Sequence, residues 1–142
     1  IGANLENFGT DLDGSLGTVP GLDPSNPAAS AMAKIGEANG FAGGDAFVGE
    51  SYDAAALMLL AMASAKSSDP QVYKDHVMKV ANGTGEKIYP GELAKGIKLA
   101  SYGIAIDYVG ASSVTLIGPG EAAGNFREIQ IQNGKMVDVN YR

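Results

Sequence analysis

The sequence predicts an α/β fold, on three observations. The first is the stretch from Phe41 to Ala65, FAGGDAFVGESYDAAALMLLAMASA, in which a glycine-broken apolar run reads as a strand that passes through Glu50-Ser51-Tyr52-Asp53 into a helix. The second is that helix-start signals, Asn26-Pro27 and Asp69-Pro70, alternate with β-rich runs such as Val114-Thr115-Leu116-Ile117, as packed helix and sheet layers require. The third is glycine: 20 of 142 residues, with only 7% aromatics and no Trp, suits many turns and close backbone approaches. Ligands of α/β domains gather at the carboxyl ends of strands. The junction at residues 50–53 is therefore the expected seat of function.

Gly14-Ser15-Leu16-Gly17-Thr18-Val19 is the first strand candidate, ended by Pro20-Gly21, a dipeptide that turns the chain. Asn26 then caps a helix with Pro27 at its first position, and Ala28, Ala31, Met32 and Ile35 share one face before Asn39-Gly40 closes it. In the second helix Ser51 is expected at the N-cap, with Asp53 a first-turn carboxylate that complements the helix dipole. Its body, Ala54 to Ala65, runs twelve residues without a charge, and Ser64 is the one polar side chain. A helix apolar on every side is expected to be buried all round. It is too short for a bilayer, which takes roughly 18 or more apolar residues.

A third, amphipathic helix starts at Ser68-Asp69-Pro70, carries Tyr73, Val77, Val80 and Ala81 on one side, and stops at Asn82-Gly83. Ile88-Tyr89-Pro90-Gly91-Glu92 opens a fourth, with Leu93, Ile97 and Ala100 inward, Lys95 and Lys98 outward, and Gly103 at its end. Beyond Tyr108 the texture turns to β, first in Val114 to Ile117, closed by Gly118-Pro119-Gly120, then in a hairpin from Phe126 to Val139 around Asn133-Gly134. A two-residue loop sets Ile129 opposite Asp138, whereas an odd loop with a bulged glycine puts Ile129, Ile131, Val137 and Val139 on one face. The bulged hairpin is the expectation, because it keeps the apolar residues together.

Composition removes several functions. Ten Lys and Arg against sixteen Asp and Glu give a net charge of −6 and a pI near 4.6, so phosphate backbones and anionic lipid are not attracted, and nucleic acid is excluded as a partner. Without Cys there are no disulfides, thiolate nucleophiles or Cys-ligated metals. The chain opens on Ile1-Gly2-Ala3-Asn4, with no Met and no basic or apolar leader, and reads as a processed, truncated or partly observed chain.

The chemistry-bearing residues are few. His76 is the single histidine, so a His-rich metal site is impossible, and it reads as a solvated or half-packed helix residue. Asp11 and Asp13 resemble half of a calcium loop but lack the later bidentate Glu, and read as turn residues. Glu6 with Asp11, and Glu50 with Asp53, pair carboxylates without a feature that marks an acid–base site. Gly40-Phe41-Ala42-Gly43-Gly44 is neither a Walker loop nor a dinucleotide fingerprint. No catalytic residue, metal or cofactor is expected. What capping leaves unexplained are Phe47 and Tyr52, aromatic rings that bracket the junction and offer a stacking surface to a small ligand.

The order Asn26-Pro27, helix, Asn39-Gly40-Phe41, then Asp45-Ala46-Phe47-Val48 into Ser51-Tyr52-Asp53-Ala54-Ala55, then Tyr108-x-Gly110-Ala111-Ser112 and a closing strand with Asn133-Gly134-Lys135-Met136-Val137, resembles a known family. It is similar to the carboxy-terminal part of ABC-transporter substrate-binding proteins, the leucine/isoleucine/valine-binding class of type I periplasmic proteins. The resemblance covers most of the chain. It implies part of a two-lobed fold of three-layer α/β/α lobes joined by crossing strands, with ligand captured by hinge closure. Residues 1–19 would then end lobe 2, 20–126 form the carboxy-terminal part of lobe 1, and 127–142 return to lobe 2 as the closing hairpin. Thr18 to Leu22 and Phe126 to Gln130 would be the second and third crossings.

The same resemblance implies a periplasmic or extracellular protein without catalysis that hands a small amino-acid-like ligand to a membrane permease; a ligand-sensing receptor or regulator domain of this fold is the alternative. It puts Phe47 at the cleft against an apolar part of the ligand; Glu50 and Tyr52, from the same junction, are the further ligand-binding candidates. Asn4 stands where the family has an acidic side chain for the ligand's ammonium group. Asn4 accepts a hydrogen bond but carries no charge, which leaves room for an amide, a carboxylate or an aromatic acid.

Overall fold

The computed structural model describes residues 2–142. Its helices are α1 Pro27–Asn39, α2 Val48–Ala65, α3 Pro70–Ala81 and α4 Leu93–Ser101. α1 begins as its sequence dictates: the Asn26 side chain accepts from the Ala28 N–H at 2.9 Å, and Gly40 closes the helix in the left-handed region at φ 77°. α3 repeats the device, with Asp69 accepting from the Gln71 N–H at 2.9 Å. The first N–H groups of a helix have no intrahelical acceptor, so each cap stabilises by about 1 kcal/mol.

α2 departs from expectation at its start. No strand precedes it; residues 41–47 form bends and turns. The Phe41 N–H donates to the Gly36 carbonyl at 3.0 Å, and Gly43 lies so close to the Met32 carbonyl of α1 that no side chain fits between them. The segment is folded onto α1 instead of pairing with a strand. Phe47, at φ 68° and without a side-chain cap, takes the N-cap position expected for Ser51. Ser51 is exposed within the first turn, its N–H bonded to the Phe47 carbonyl at 3.0 Å.

Burial of α2 is one-sided. Asp53, Ala56, Leu57, Leu60 and Ala61 form the buried stripe, whereas Met58 and Leu59 are each 45% exposed. The all-round burial expected from composition is not found, because α3 and α4 pack against the Leu57–Leu60 side. β2 Glu86–Ile88 and β3 Ile106–Tyr108 pair in parallel, with α4 as their crossover. Their three-residue length leaves no alternation to read in the sequence. Leu60, Ile88 and Tyr108 are the largest fully buried side chains, and the core gathers around them with Val80, Ala100 and Ile106.

β4 Thr115–Gly118 returns as β5 Glu121–Ala123. A separate antiparallel sheet, in the order β1-β6-β7, joins β1 Leu16–Pro20, β6 Phe126–Gln132 and β7 Lys135–Tyr141. Here the bulged turn gives way to the two-residue one: Gln132 faces Lys135, and Ile129 faces Asp138. Asn133 and Gly134 both have positive φ, 53° and 71°, as a tight hairpin turn requires. Asp13 fixes that turn by accepting from the Asn133 and Gly134 N–H groups, each at 2.9 Å. The register shift falls instead near the far end, between Glu128 and Ile129. A 3-10 helix, Gly2–Phe8, packs on β7 and buries Leu5. Among the described residues no helix is long and apolar enough to cross a membrane.

Candidate functional site

A cavity of about 350 Å³ opens where the β1-β6-β7 sheet meets the helices. The sheet contributes Pro20, Arg127, Asp138 and Tyr141, and Gly21 follows directly on β1. α1 contributes Ala29, Met32 and Ala33, and the start of α2 contributes Gly49 and Glu50. Ala111 and Ser112, from the loop after β3, complete the wall.

That loop is held by Asp53. Its Oδ1 accepts from the Tyr108 hydroxyl at 2.7 Å and the Ala111 N–H at 2.6 Å; its Oδ2 accepts from the Ser112 N–H at 2.8 Å and the Ser112 hydroxyl at 2.6 Å. Asp53 is 2% exposed, so the expected role as a dipole-complementing first-turn carboxylate is replaced by a clasp between α2 and the β3–β4 loop. A buried carboxylate is tolerated when donors fill its lone pairs. Burial, and then the neighbouring Asp53 charge and hydrogen bond, push the Tyr108 hydroxyl pKa far above its ordinary value. Gly110 makes the approach possible: it has φ 69°, and a Cβ there would stand 2.5 Å from Asp53 Oδ1.

The connection continues toward the sheet. Asn125 Nδ2 donates to the Ser112 carbonyl at 2.8 Å, and the Asn125 carbonyl accepts from the Gly21 N–H at 3.1 Å. Gly21, at φ 155°, lets the Arg127 stem lie against the backbone; a Cβ would meet Arg127 Nε at 3.2 Å. Arg127 Nη1 donates to Asp138 Oδ2 at 3.2 Å, and the Tyr141 hydroxyl donates to the same oxygen at 3.2 Å. Partial burial and the Asp138 charge raise the Tyr141 pKa. Arg127 Nε is buried with no hydrogen-bond partner among the described residues.

Of the residues singled out from sequence, Glu50 is half-buried and lines the cavity. Phe47 is 63% exposed at the start of α2 and is not part of this wall. The Tyr52 ring packs against the core, and its hydroxyl accepts from the Gly91 N–H at 3.1 Å, which turns it toward the β2–α4 connection. Asn4 is exposed in the 3-10 helix beside β7. The structure thus brings Glu50 to the cavity and leaves the other three outside it. Arg127 and Asn125 are not among the residues that the sequence singles out, and Ser112 stands there only within the Tyr108-x-Gly110-Ala111-Ser112 motif. Arg127, followed at once by Glu128 in the mixed strand Phe126–Gln132, carries no signal that marks a site, and neither does Asn125.

The arrangement suits binding. The Arg127 guanidinium, the carboxylates of Asp45, Glu50 and Asp138, and the hydroxyls of Ser30, Ser112 and Tyr141 share the wall with apolar groups such as Leu22 and Met32. His76 lies elsewhere, half-buried between α3 and α2, where its Nδ1 bonds Ser64 Oγ at 2.9 Å. Among the described residues no group of three or more His, Cys, Asp or Glu is placed to hold a metal ion.

No family model matches the sequence, and no curated protein matches it. A similar solved structure is the leucine-binding protein LivK from Thermotoga maritima, with a TM-score of 0.62 and 21% identity, over 96% of this chain and 33% of that one. The chain spans about a third of the length of that neighbour. At this identity the likeness is one of fold: the α/β architecture described above is part of a periplasmic-binding-protein fold.

Proposed function

We propose that this chain is the carboxy-terminal part of a solute-binding protein that captures a small amino-acid-like ligand by hinge closure. The observation that carries this reading is the cavity between the β1-β6-β7 sheet and the helices, in a chain whose fold is part of a periplasmic-binding-protein fold. Strands that leave one body for another, with a cavity at their ends, make a cleft that closes on a ligand. In this reading residues 1–19 and 127–142 belong to one lobe and 20–126 to the other. The protein works outside the cytoplasm, passes its solute to the permease of an ABC importer, and performs no catalysis. Phe47, exposed beside the start of α2, meets the second wall of the cleft.

Micromolar binding needs about −8 kcal/mol, within reach of a buried apolar contact set and a few charge-assisted hydrogen bonds. Calorimetry on the intact protein with L-leucine, L-leucinamide, 4-methylpentanoate and phenylacetate is the test. At least one is expected to bind, and Phe47→Ala is expected to weaken it about tenfold or more, the loss of a buried aromatic contact. Unchanged affinity in that variant removes Phe47 from the cleft. No binding of any of the four overturns the solute-binding reading.

A further inference from the structure

Three Asn-Gly steps lie in this chain, at 39–40, 82–83 and 133–134, and the fold holds them differently. Asn39 ends α1: its Nδ2 donates to the Ile35 carbonyl at 2.8 Å, and the Gly40 N–H donates to the Gly36 carbonyl. Asn82 has both side-chain atoms bound to Leu116, Nδ2 donating to the carbonyl at 2.6 Å and Oδ1 accepting from the N–H at 3.1 Å. Asn133, at the tip of the β6–β7 hairpin, is exposed, and its side-chain amide has no hydrogen-bond partner among the described residues. The restraint at this step falls on the backbone instead. The Gly134 N–H donates to Asp13 Oδ1 at 2.9 Å, and the Gly9 carbonyl lies only 2.7 Å from where a Cβ on Gly134 would stand.

An asparagine amide followed by glycine is open to attack by the next backbone nitrogen, because glycine has no side chain to crowd the approach. That nitrogen must first give up its proton. A carboxylate holding the N–H opposes this twice: a hydrogen bond to a charged acceptor is roughly twice as strong as a neutral one, and deprotonation puts a second negative charge beside the first. We infer that Asn133 is a site of spontaneous deamidation in this protein and that Asp13 is the brake on it. The Gly134 N–Cγ bond to Asn133 forms, the Cγ–Nδ2 bond breaks, and Nδ2 leaves as ammonia with the proton that Gly134 N gives up. Water then opens the succinimide at either carbonyl, restores the N–H and leaves aspartate or isoaspartate at position 133. Either product adds a carboxylate to the turn that Asp13 holds, and isoaspartate also lengthens the main chain there by one methylene. The clamp of Asp13 on the hairpin is weakened, while the Gly14 N–H bond to the Ile131 carbonyl at 2.8 Å and the Ile131 N–H bond to the Ser15 carbonyl at 2.9 Å remain.

The test is incubation of the intact protein at mildly alkaline pH in water enriched in the heavy oxygen isotope, with peptide mass spectrometry reading conversion at all three steps. Asn133 is expected to convert fastest of the three. Asp13→Ala is expected to speed its conversion by about tenfold or more, the loss of a charge-assisted hydrogen bond, and Asp11→Ala to leave it unchanged. In the wild-type protein the Gly134 amide is expected to exchange its hydrogen slowly. Faster conversion of Asn39 or Asn82 than of Asn133 in the wild type overturns the site. Unchanged or slower conversion of Asn133 in Asp13→Ala overturns the brake, the slower case because Asp13 would then be taking the proton from Gly134 N. A speed-up that Asn39 and Asn82 share reports general loosening and also overturns it, as does fast exchange of the Gly134 amide.

Discussion

The Tyr108 hydroxyl donates to Asp53 Oδ1 at 2.7 Å across a separation of 55 residues. That bond joins the first turns of α2 to the end of β3, and the two N–H groups that follow Gly110, with the Ser112 hydroxyl, complete the shell around the same carboxylate. The Ala111–Ser112 wall of the cavity is where it is because Asp53 is buried beneath it.

Removing the carboxylate leaves buried donors without an acceptor, each costing about 1–3 kcal/mol where water cannot replace it. Asp53→Ala is therefore expected to destabilise the protein by at least about 3 kcal/mol, read from denaturant melts. Gly110→Ala, which pushes a Cβ toward Asp53, is expected to act in the same direction. A loss below about 1 kcal/mol in both variants would show that the clasp contributes little.

The Tyr108 pKa is raised in the folded state, so its effect on stability lies on the alkaline side. Below about pH 10, the ordinary tyrosine value, folded and unfolded chains both hold the proton. Above it the unfolded chain releases the proton and the folded one does not, so stability falls with rising pH by up to about 1.4 kcal/mol per pH unit for this group. Tyr108→Phe is expected to be less stable at neutral pH and to lose less stability between pH 10 and 11. Parallel pH profiles for the two proteins would contradict this.

One-sided burial of α2 predicts unequal neighbours. Leu60 is 0% exposed and Leu59 is 45% exposed. Leu60→Ala is expected to cost about 2–5 kcal/mol, and Leu59→Ala under about 1 kcal/mol. Equal costs in thermal denaturation would mean that the Leu59 side is covered as well.

Phe47 holds a positive φ of 68°, a conformation that costs a side chain about 1–2 kcal/mol and glycine almost nothing. Phe47→Gly is expected to leave the melting temperature unchanged or raise it while weakening ligand binding. Affinity and stability measured on the same variant separate a role of the ring in binding from a role in packing. A variant that loses stability and keeps affinity would assign the ring to packing.

Much of the helical framework was legible because its signals are local. Asn26 and Asp69 bond N–H groups two residues ahead, and the apolar stripe of α3 follows the 3.6-residue period. β2 and β3 were not, since three residues show no period and their pairing depends on a crossover. Glu50, singled out at the junction, lines the cavity, although no strand exists there. Arg127 could not be placed, because its partners arrive from β7 and from Gly21.

What the sequence by itself determined is the α/β class, the capped starts of α1 and α3, and the net charge of −6. Caps, turns and net charge act through the nearest residues or through simple sums, so the order of amino acids is enough. Only the tertiary structure decided which side of α2 is buried, that the hairpin turn is two residues long, and that Asp53 is a clasp and not a cap. Each of these depends on a group brought from far along the chain: α3 and α4 against Leu60, Asp13 onto Asn133 and Gly134, and Tyr108 with Ser112 onto Asp53.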